Sequence, residues 1–498
     1  MQKSTQEIAA QDNSWPRVIA TRVFRMKDQR EFAEFSGDFN PMHLDALTAR
    51  RTQMGAPVVH GVHQLLWGLE NLAGLVPTGT RIVGLQARFA QPLYLDESAE
   101  LSVAMDVKSK LRLAVRASVV ATMKVVFELE PGEPDCGEIA PGELEADCRP
   151  GVCRIVSFEE MSGLAGDLPV CFRGQHAERL FPEASRVIGA VRVHSIATLS
   201  RLVGMECPGL NSILSSIRVR LGRIDENRLR YSVLLTDRRF SFVRLRVTGG
   251  GMKGEAEASM RTAPVRQPDI SEIREFVRED EFSGSVALVI GASRGVGQFV
   301  AKAIGAGGGH VLATYCVCRA ECEQVASEVL SAGGRCDVLQ YDTRRSPAEQ
   351  LAHLPAIPTS LYYFATPKIF GRPGELFERV RLNEFLEVYV DGFYSLCSYL
   401  RRSVGGPLTI FYPSSVAVES RPGNITAYAM AKAAGEVLCD SMAENWRGFR
   451  LIQRRLPRLI TDQTATLVEV DSVRVIDTML PIISEVESSV PSVTSASS

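Results

Sequence analysis

No stretch of this sequence stays apolar for the roughly 20 residues that a membrane-spanning helix requires. No block of lysine and arginine marks a nucleic-acid footprint, and no acidic tail is present. Charge is close to balanced, with 56 Lys and Arg against 58 Asp and Glu. The opening segment, MQKSTQEIAAQDNSW, is polar and lacks the apolar core of a secretory signal. Paired CxxC spacings are missing. The 11 cysteines are scattered, and the one cluster, Cys316, Cys318 and Cys322, lacks the pairing and the fourth ligand of a zinc site. These absences lead us to expect a cytoplasmic protein with reduced thiols, no metal, and neither nucleic acid nor membrane as partner.

What is present is a globular composition, 45% hydrophobic and 23% charged, over 498 residues, enough for two to four domains. Residues 1–15 read as a leader. Between residues 15 and 130 come a short helical stretch (REFAEFSGD), a loop rich in Asn, Pro and His, and a long apolar helix from about His60 to Val76. Four β-branched, partly alternating runs follow (RIVGLQARFAQPLYL, AELSVAMDVKSK, LRLAVRASVVA, MKVVFEL), the pattern of an antiparallel sheet. A long helix wrapped by such a sheet is the hotdog arrangement. Residues 131–150, rich in Pro, Gly and acids, read as a linker.

The order then recurs about 130 residues on: HSIATLSRLVGMECPG parallels the first long helix, and NSILSSIRVRLGRI, RLRYSVLLT, FSFVRLRVTGG and MKGEAEASM parallel its strands. We expect a second hotdog over 151–262, whose pairing with the first covers sheet edges. Residues 263–284 read as a charged linker. Over 285–486, strands alternate with helices, which indicates a parallel sheet with crossover helices. Residues 487–498 read as a disordered tail. The expected fold is thus an α+β double hotdog followed by an α/β Rossmann-type, doubly wound parallel sheet.

Two motifs carry chemistry in the C-terminal part. GASRGVG, residues 291–297, follows an apolar strand and opens a helix. Its glycines, Gly291, Gly295 and Gly297, let the backbone approach a pyrophosphate, and the helix start offers N–H donors there, with Ser293, Arg294 and Val296 in the same turn. YAMAK places Tyr428 and Lys432 on one helix face, and Ser415 lies 13 residues before Tyr428 after the strand LTIFYPS. Hydride transfer to a carbonyl needs a proton donor beside it. A tyrosine serves if a neighbouring ammonium lowers its pKa, and a serine can hold the substrate oxygen. The strand ending ATYCVCR has no acid for ribose hydroxyls, whereas Arg294 can pair a 2′-phosphate, so NADP(H) is the expected cofactor.

These residues resemble the short-chain dehydrogenase/reductase family over about 285–485. The resemblance implies Ser415 as substrate-orienting group, Tyr428 as acid/base, and Lys432 as the group that tunes Tyr428 and holds the nicotinamide ribose. It implies Asp342 as the acid that contacts adenine, and PRLITDQT (457–464) as the loop near the nicotinamide, with Arg458 where Gly is usual. Two departures stand out: FATP (364–367) in place of Asn-Asn-Ala-Gly, and Tyr389 in place of the helix asparagine that supports a water.

In the N-terminal part, SGDFNPMHLD (36–45) is followed by GAPVVHGV (55–62). Asp38 and His43 stand five apart across a Pro-containing turn, so both can face one pocket. Reversible hydration of an α,β-unsaturated thioester needs such a base and acid, and a donor for the thioester oxygen, which the backbone N–H of Gly61 can supply. The segment resembles MaoC-like (R)-specific enoyl-CoA hydratases and dehydratases over about 22–77. The resemblance implies Asp38 and His43 as the catalytic pair, Asn40 as orienting the loop and Gly61 as the oxyanion donor. The second repeat has no such motif; His176 and His194, like His60 and His63, read as structural, and the second hotdog as a non-catalytic partner.

A ketoreductase and a hydratase share the 3-hydroxyacyl thioester. The expected activity is NADPH-dependent reduction of a 3-oxoacyl thioester and dehydration to the trans-2-enoyl product in fatty-acyl or polyketide-like synthesis, by a homodimer acting on acyl-CoA or acyl-carrier-protein thioesters. Two alternatives stand beside it: a degradative (R)-3-hydroxyacyl-CoA dehydrogenase and hydratase, or one catalytic half and one scaffold.

Overall fold

The computed structural model describes residues 17–106, 110–118, 120–133, 151–170, 176–370, 376–464 and 471–488. The expected leader, most of the first linker and residues 489–498 lie outside them. The chain divides into two compact units, Met1–Ala263 and Pro264–Ser498.

The first unit holds one antiparallel sheet of ten strands: β1 (Arg17–Val23), β2 (Thr80–Phe89), β3 (Ser98–Asp106), β4 (Lys110–Ala117), β5 (Val120–Pro131), β6 (Ala165–Pro169), β7 (Ser212–Leu221), β8 (Arg228–Asp237), β9 (Phe242–Gly249) and β10 (Met252–Met260). Their order is β1-β3-β4-β5-β2-β7-β10-β9-β8-β6. The two halves mirror each other, and they meet where β2 pairs with β7, Gly84 facing Arg220. That pairing removes an exposed edge from each half. Burial alternates along β4, as one packed face requires.

Each half packs one long helix against its strands. Gly61–Leu72 is buried on nearly every side, and Gly68 lets it approach Leu113, Leu101 and Met123. Ala190–Arg201 is its counterpart and runs into a π turn, Leu202–Glu206. β1 and β6 were not expected as strands: both are short edge strands, and RVIATRV borrows its pairing from β3 rather than from its own pattern. No single helix among the described residues is long and apolar enough to cross a membrane.

The second unit is a six-stranded parallel sheet: β11 (Val286–Ile290), β12 (His310–Tyr315), β13 (Arg335–Gln340), β14 (Ser360–Tyr363), β15 (Leu408–Ser415) and β16 (Phe449–Leu456), ordered β13-β12-β11-β14-β15-β16. The order reverses between β11 and β14, the topology of a doubly wound sheet, and ligands bind outside the strand C-termini at that reversal. Apolar cores lie on both faces.

Two boundaries differ from the sequence reading. Residues 264–284 are no free linker: Ile270, Ile273, Val277 and Phe282 are buried in the second unit's core. Ile270, Ile273 and Val277 stand three and four apart, the spacing of an apolar helix face, overshadowed in sequence by the surrounding charges. Glu487, expected in the tail, ends the helix Val475–Glu487 and is buried, accepting hydrogen bonds from Ser360 Oγ (2.8 Å) and Tyr362 OH (2.7 Å).

Candidate active sites

In the first unit, the loop after the helix Met26–Ser36 is built residue by residue from its own motif. Gly37 closes that helix in the left-handed region (φ 77°), which glycine adopts at no steric cost. The chain then turns at Asp38, whose Oδ1 accepts the Asn40 N–H (3.1 Å). Asn40 Oδ1 in turn caps the short helix Pro41–Leu44 by accepting from Met42 N (3.1 Å), with proline at the first helical position. His43 rides on that turn. Its Nδ1 lies 2.7 Å from the Val58 carbonyl, which can only accept, so Nδ1 carries the proton and Nε2 keeps its lone pair.

Asp38, His43 and His60 each place a side-chain ligand atom within 4.8 Å of the others, all buried. The imidazoles of His43 and His60 stack at 3.8 Å. His60 was expected to be structural, yet it reaches into the pair. Its Nε2 lies 3.1 Å from the Asp38 carbonyl oxygen and its Nδ1 2.9 Å from Gln29 Oε1, an oxygen fixed by accepting the His60 N–H as well. Both His60 ring nitrogens are therefore engaged by oxygens, and a metal ion at this cluster would have to displace one of them.

Burial raises the Asp38 pKa, against the pull of His43, Ser200 and Asn40. Burial lowers the His43 pKa, opposed by Asp38 and the Val58 bond and reinforced by Arg261. The result is a neutral imidazole beside a carboxyl group able to exchange a proton.

Gly61 begins the long helix, whose N-cap His60 makes no side-chain cap bond. A Cβ at Gly61 would lie 3.0 Å from Phe89 Cδ1. Expected as partners only, residues of the second half also enter the site. Ser200 Oγ donates to Asp38 Oδ2 (2.6 Å), and Asn40 Nδ2 donates to the carbonyls of Gly204 (2.9 Å) and Leu210 (3.2 Å). His194 is buried against Phe35 with its pKa pushed down to about 3, and His176 meets the edge of Phe35.

In the second unit, the candidate residues sit at the C-terminal edge of the sheet. The turn after β11 carries Gly291 at φ 82° and Gly295 at φ 59°. A Cβ at Gly297 would lie 2.2 Å from the Gly291 oxygen, so the helix Gly295–Ala306 can come this close to the strand only with glycine there. Arg294 is its N-cap and makes no side-chain cap bond, Ser293 is buried and Val296 packs on the core. Asp342 follows β13, where its N–H donates to Gln350 and its carboxylate accepts from Arg344 N. The Arg458 guanidinium stacks 5.5 Å from the Phe370 ring and donates to the Thr464 carbonyl.

Ser415 ends β15, and Tyr428 and Lys432 lie on the helix Thr426–Asn445. Burial raises the Tyr428 pKa and a hydrogen bond with Ser415 opposes the rise. Lys432 is buried, donates to the Pro413 carbonyl (2.6 Å) and lies 3.9 Å from the centre of the Tyr389 ring, but 5.9 Å from that of Tyr428. Burial pushes its pKa down to about 7. The two departures from the family pattern meet each other: Tyr389, on the π turn Glu387–Gly392, shares a 2.5 Å hydrogen bond with Thr366 of FATP.

Residues 10–126 match the family described as MaoC like domain. This part of the chain carries a MaoC-like domain. An uncharacterized oxidoreductase of Schizosaccharomyces pombe is 24% identical over 184 residues, covering 35% of this chain and 69% of that protein. Similar solved structures include the angucycline C-6 ketoreductase LanV with bound NADP, at 20% identity, covering 37% of this chain and 76% of that chain, with a TM-score of 0.34. A 3-oxoacyl (acyl-carrier-protein) reductase from Agrobacterium tumefaciens with NADP bound is 23% identical, over 36% of this chain and 73% of that one, with a TM-score of 0.32. A Serratia marcescens short-chain dehydrogenase/reductase variant is 25% identical, over 37% and 78%, with a TM-score of 0.34.

Proposed function

We propose that this chain is a bifunctional enzyme of acyl-thioester metabolism: a double-hotdog dehydratase joined to an NADPH-dependent reductase. The carrying observation is the buried Asp38–His43 pair beside an uncapped helix start, in a chain whose second unit sets Ser415 and Tyr428 at the C-terminal edge of a doubly wound sheet.

The glycine turn fits a dinucleotide. Its backbone is close-packed at Gly297 and its helix start lacks a side-chain cap, which supports N–H donation to a pyrophosphate, and this reading gives the 2′-phosphate to Arg294. NADPH, when bound, supplies the hydride that reduces a 3-oxo group. Ser415 holds the substrate oxygen, and Tyr428 delivers its proton to that oxygen. In the first unit, the neutral His43 Nε2 and the Asp38 carboxyl exchange the α-proton and the proton of the departing water. The Gly61 N–H stabilises negative charge gathering on the thioester oxygen.

The shared intermediate is the (R)-3-hydroxyacyl thioester, made by one unit and dehydrated by the other. Tethering raises its local concentration. The test is direct. The purified chain should oxidise NADPH with acetoacetyl-CoA and hydrate crotonyl-CoA. Failure of both would remove the reading.

A second reading has an observation of its own. Lys432 is enclosed by Tyr389 and bonded to Pro413, which withholds its ammonium from Tyr428. In that reading the second unit binds the cofactor without turning over. Tight NADPH binding by fluorescence with no oxidation would favour it.

A further inference from the structure

We infer that the second half of the first unit is a working part of the dehydratase site, with Ser200 as the residue that positions the Asp38 carboxylate and holds it ionised. This rests on the dehydratase reading above.

The Asp38 carboxylate is gripped from both halves of the sheet. Oδ1 accepts from Asn40 N in its own loop, and Oδ2 accepts from Ser200 Oγ at 2.6 Å, 162 positions along the chain. Ser200 lies in the second long helix, Ala190–Arg201, and the π turn that follows brings Gly204 flat against the same carboxylate. A Cβ on Gly204 would sit 2.4 Å from Asp38 Oδ1 and 2.7 Å from Oδ2, so glycine is required for the approach. The Gly204 carbonyl also accepts from Asn40 Nδ2, tying the catalytic loop to the turn. π turns of this kind concentrate at functional sites, because the extra residue bends the helix and re-aims its carbonyls.

The groups facing this carboxylate divide its charge balance between them. His43 favours the ionised form, as do the hydrogen bonds from Ser200 and Asn40, while burial disfavours it. His60 Nε2 stands 3.9 Å from Oδ2, and burial lowers the His60 pKa well below the usual range. Cys153 feels the Asp38 charge, and with burial its thiol is pushed up to about 11. Arg261 acts through His43. Ser200 is therefore the side-chain hydroxyl that donates to the Asp38 carboxylate, which burial would otherwise neutralise. A hydroxyl donor on a charged, buried oxygen acts strongly on the ionised form.

The experiment uses the full chain and crotonyl-CoA, following hydration across pH, with Asp38→Asn as reference and thermal melting as the check on folding. Ser200→Ala should lower kcat about 10- to 100-fold, the range of a hydrogen bond to a charged group. It should also move the acid limb of the kcat profile to higher pH, and Ser200→Thr should restore rate and limb. Gly204→Ala, which crowds the same oxygens, should lose rate while Asn40 keeps its loop. A Ser200→Ala enzyme with an unmoved acid limb, beside an inactive Asp38→Asn, overturns this inference alone, whether or not its rate falls. Wild-type hydration by Asp38→Asn overturns the dehydratase reading with it.

Discussion

At the scale of single residues, the first unit's chemistry follows from two opposite shifts. Burial moves the Asp38 carboxyl up and the His43 imidazole down. Hydration needs the pair with Asp38 ionised and His43 neutral. Activity should therefore be lost as pH falls through the pair's titration, with an acid limb above the ordinary aspartate range. A kcat profile for crotonyl-CoA hydration checks this, and a limb within the ordinary aspartate range would contradict it. Asp38, Asn40 and His43 were legible in sequence because their logic is local: an Asx turn, a cap and a helix start within six positions. Ser200 and Gly204 were not, because only the pairing of β2 with β7 and the packing of two distant helices bring them to Asp38. An SxxxG spacing at a helix end carries no signal of its own. The contacts of Lys432 were not legible for a similar reason: Tyr389 and Pro413 hold its ammonium, and neither is near it in sequence.

Among the elements, close approaches decide function. The turn between β11 and the helix Gly295–Ala306 works only because Gly297 meets the Gly291 oxygen without a Cβ. Gly297→Ala should cost about 1–3 kcal/mol by overpacking and weaken NADPH binding, read by cofactor fluorescence and a melt, while crotonyl-CoA hydration is retained. The helix Val475–Glu487 ends on a buried carboxyl whose pKa burial raises, against the bonds from Ser285, Tyr362 and Ser360. A raised folded-state pKa means that the folded form holds the proton more tightly than the unfolded one. Stability from this group is then greatest below the unfolded glutamate pKa and declines as pH rises towards the folded value. Glu487→Gln keeps an acceptor for Ser360 and Tyr362 and should flatten that decline, whereas Glu487→Ala should cost about 1–3 kcal/mol by leaving both hydroxyls unpaired. Thermal melts from acid to neutral pH distinguish the three proteins. The strands β2–β5 and β7–β10 and the long helices were readable from apolar periodicity; β1, β6 and the packed segment 264–284 were not, since their burial is conferred by neighbours.

For the whole molecule, the two units make sense together because their chemistries meet at one compound. On the function proposed above, reduction of a 3-oxoacyl thioester gives the 3-hydroxyacyl thioester that the Asp38–His43 pair would dehydrate, so that neither unit alone would complete the conversion. The most direct measurement follows one 3-oxoacyl-CoA with NADPH through the full chain and resolves the thioester products by mass. The account predicts a 2-enoyl product from the wild type, a build-up of the 3-hydroxyacyl thioester with Asp38→Asn, and unchanged substrate with Tyr428→Phe. A 2-enoyl product that persists in Asp38→Asn, or NADPH oxidation that persists in Tyr428→Phe, would contradict it.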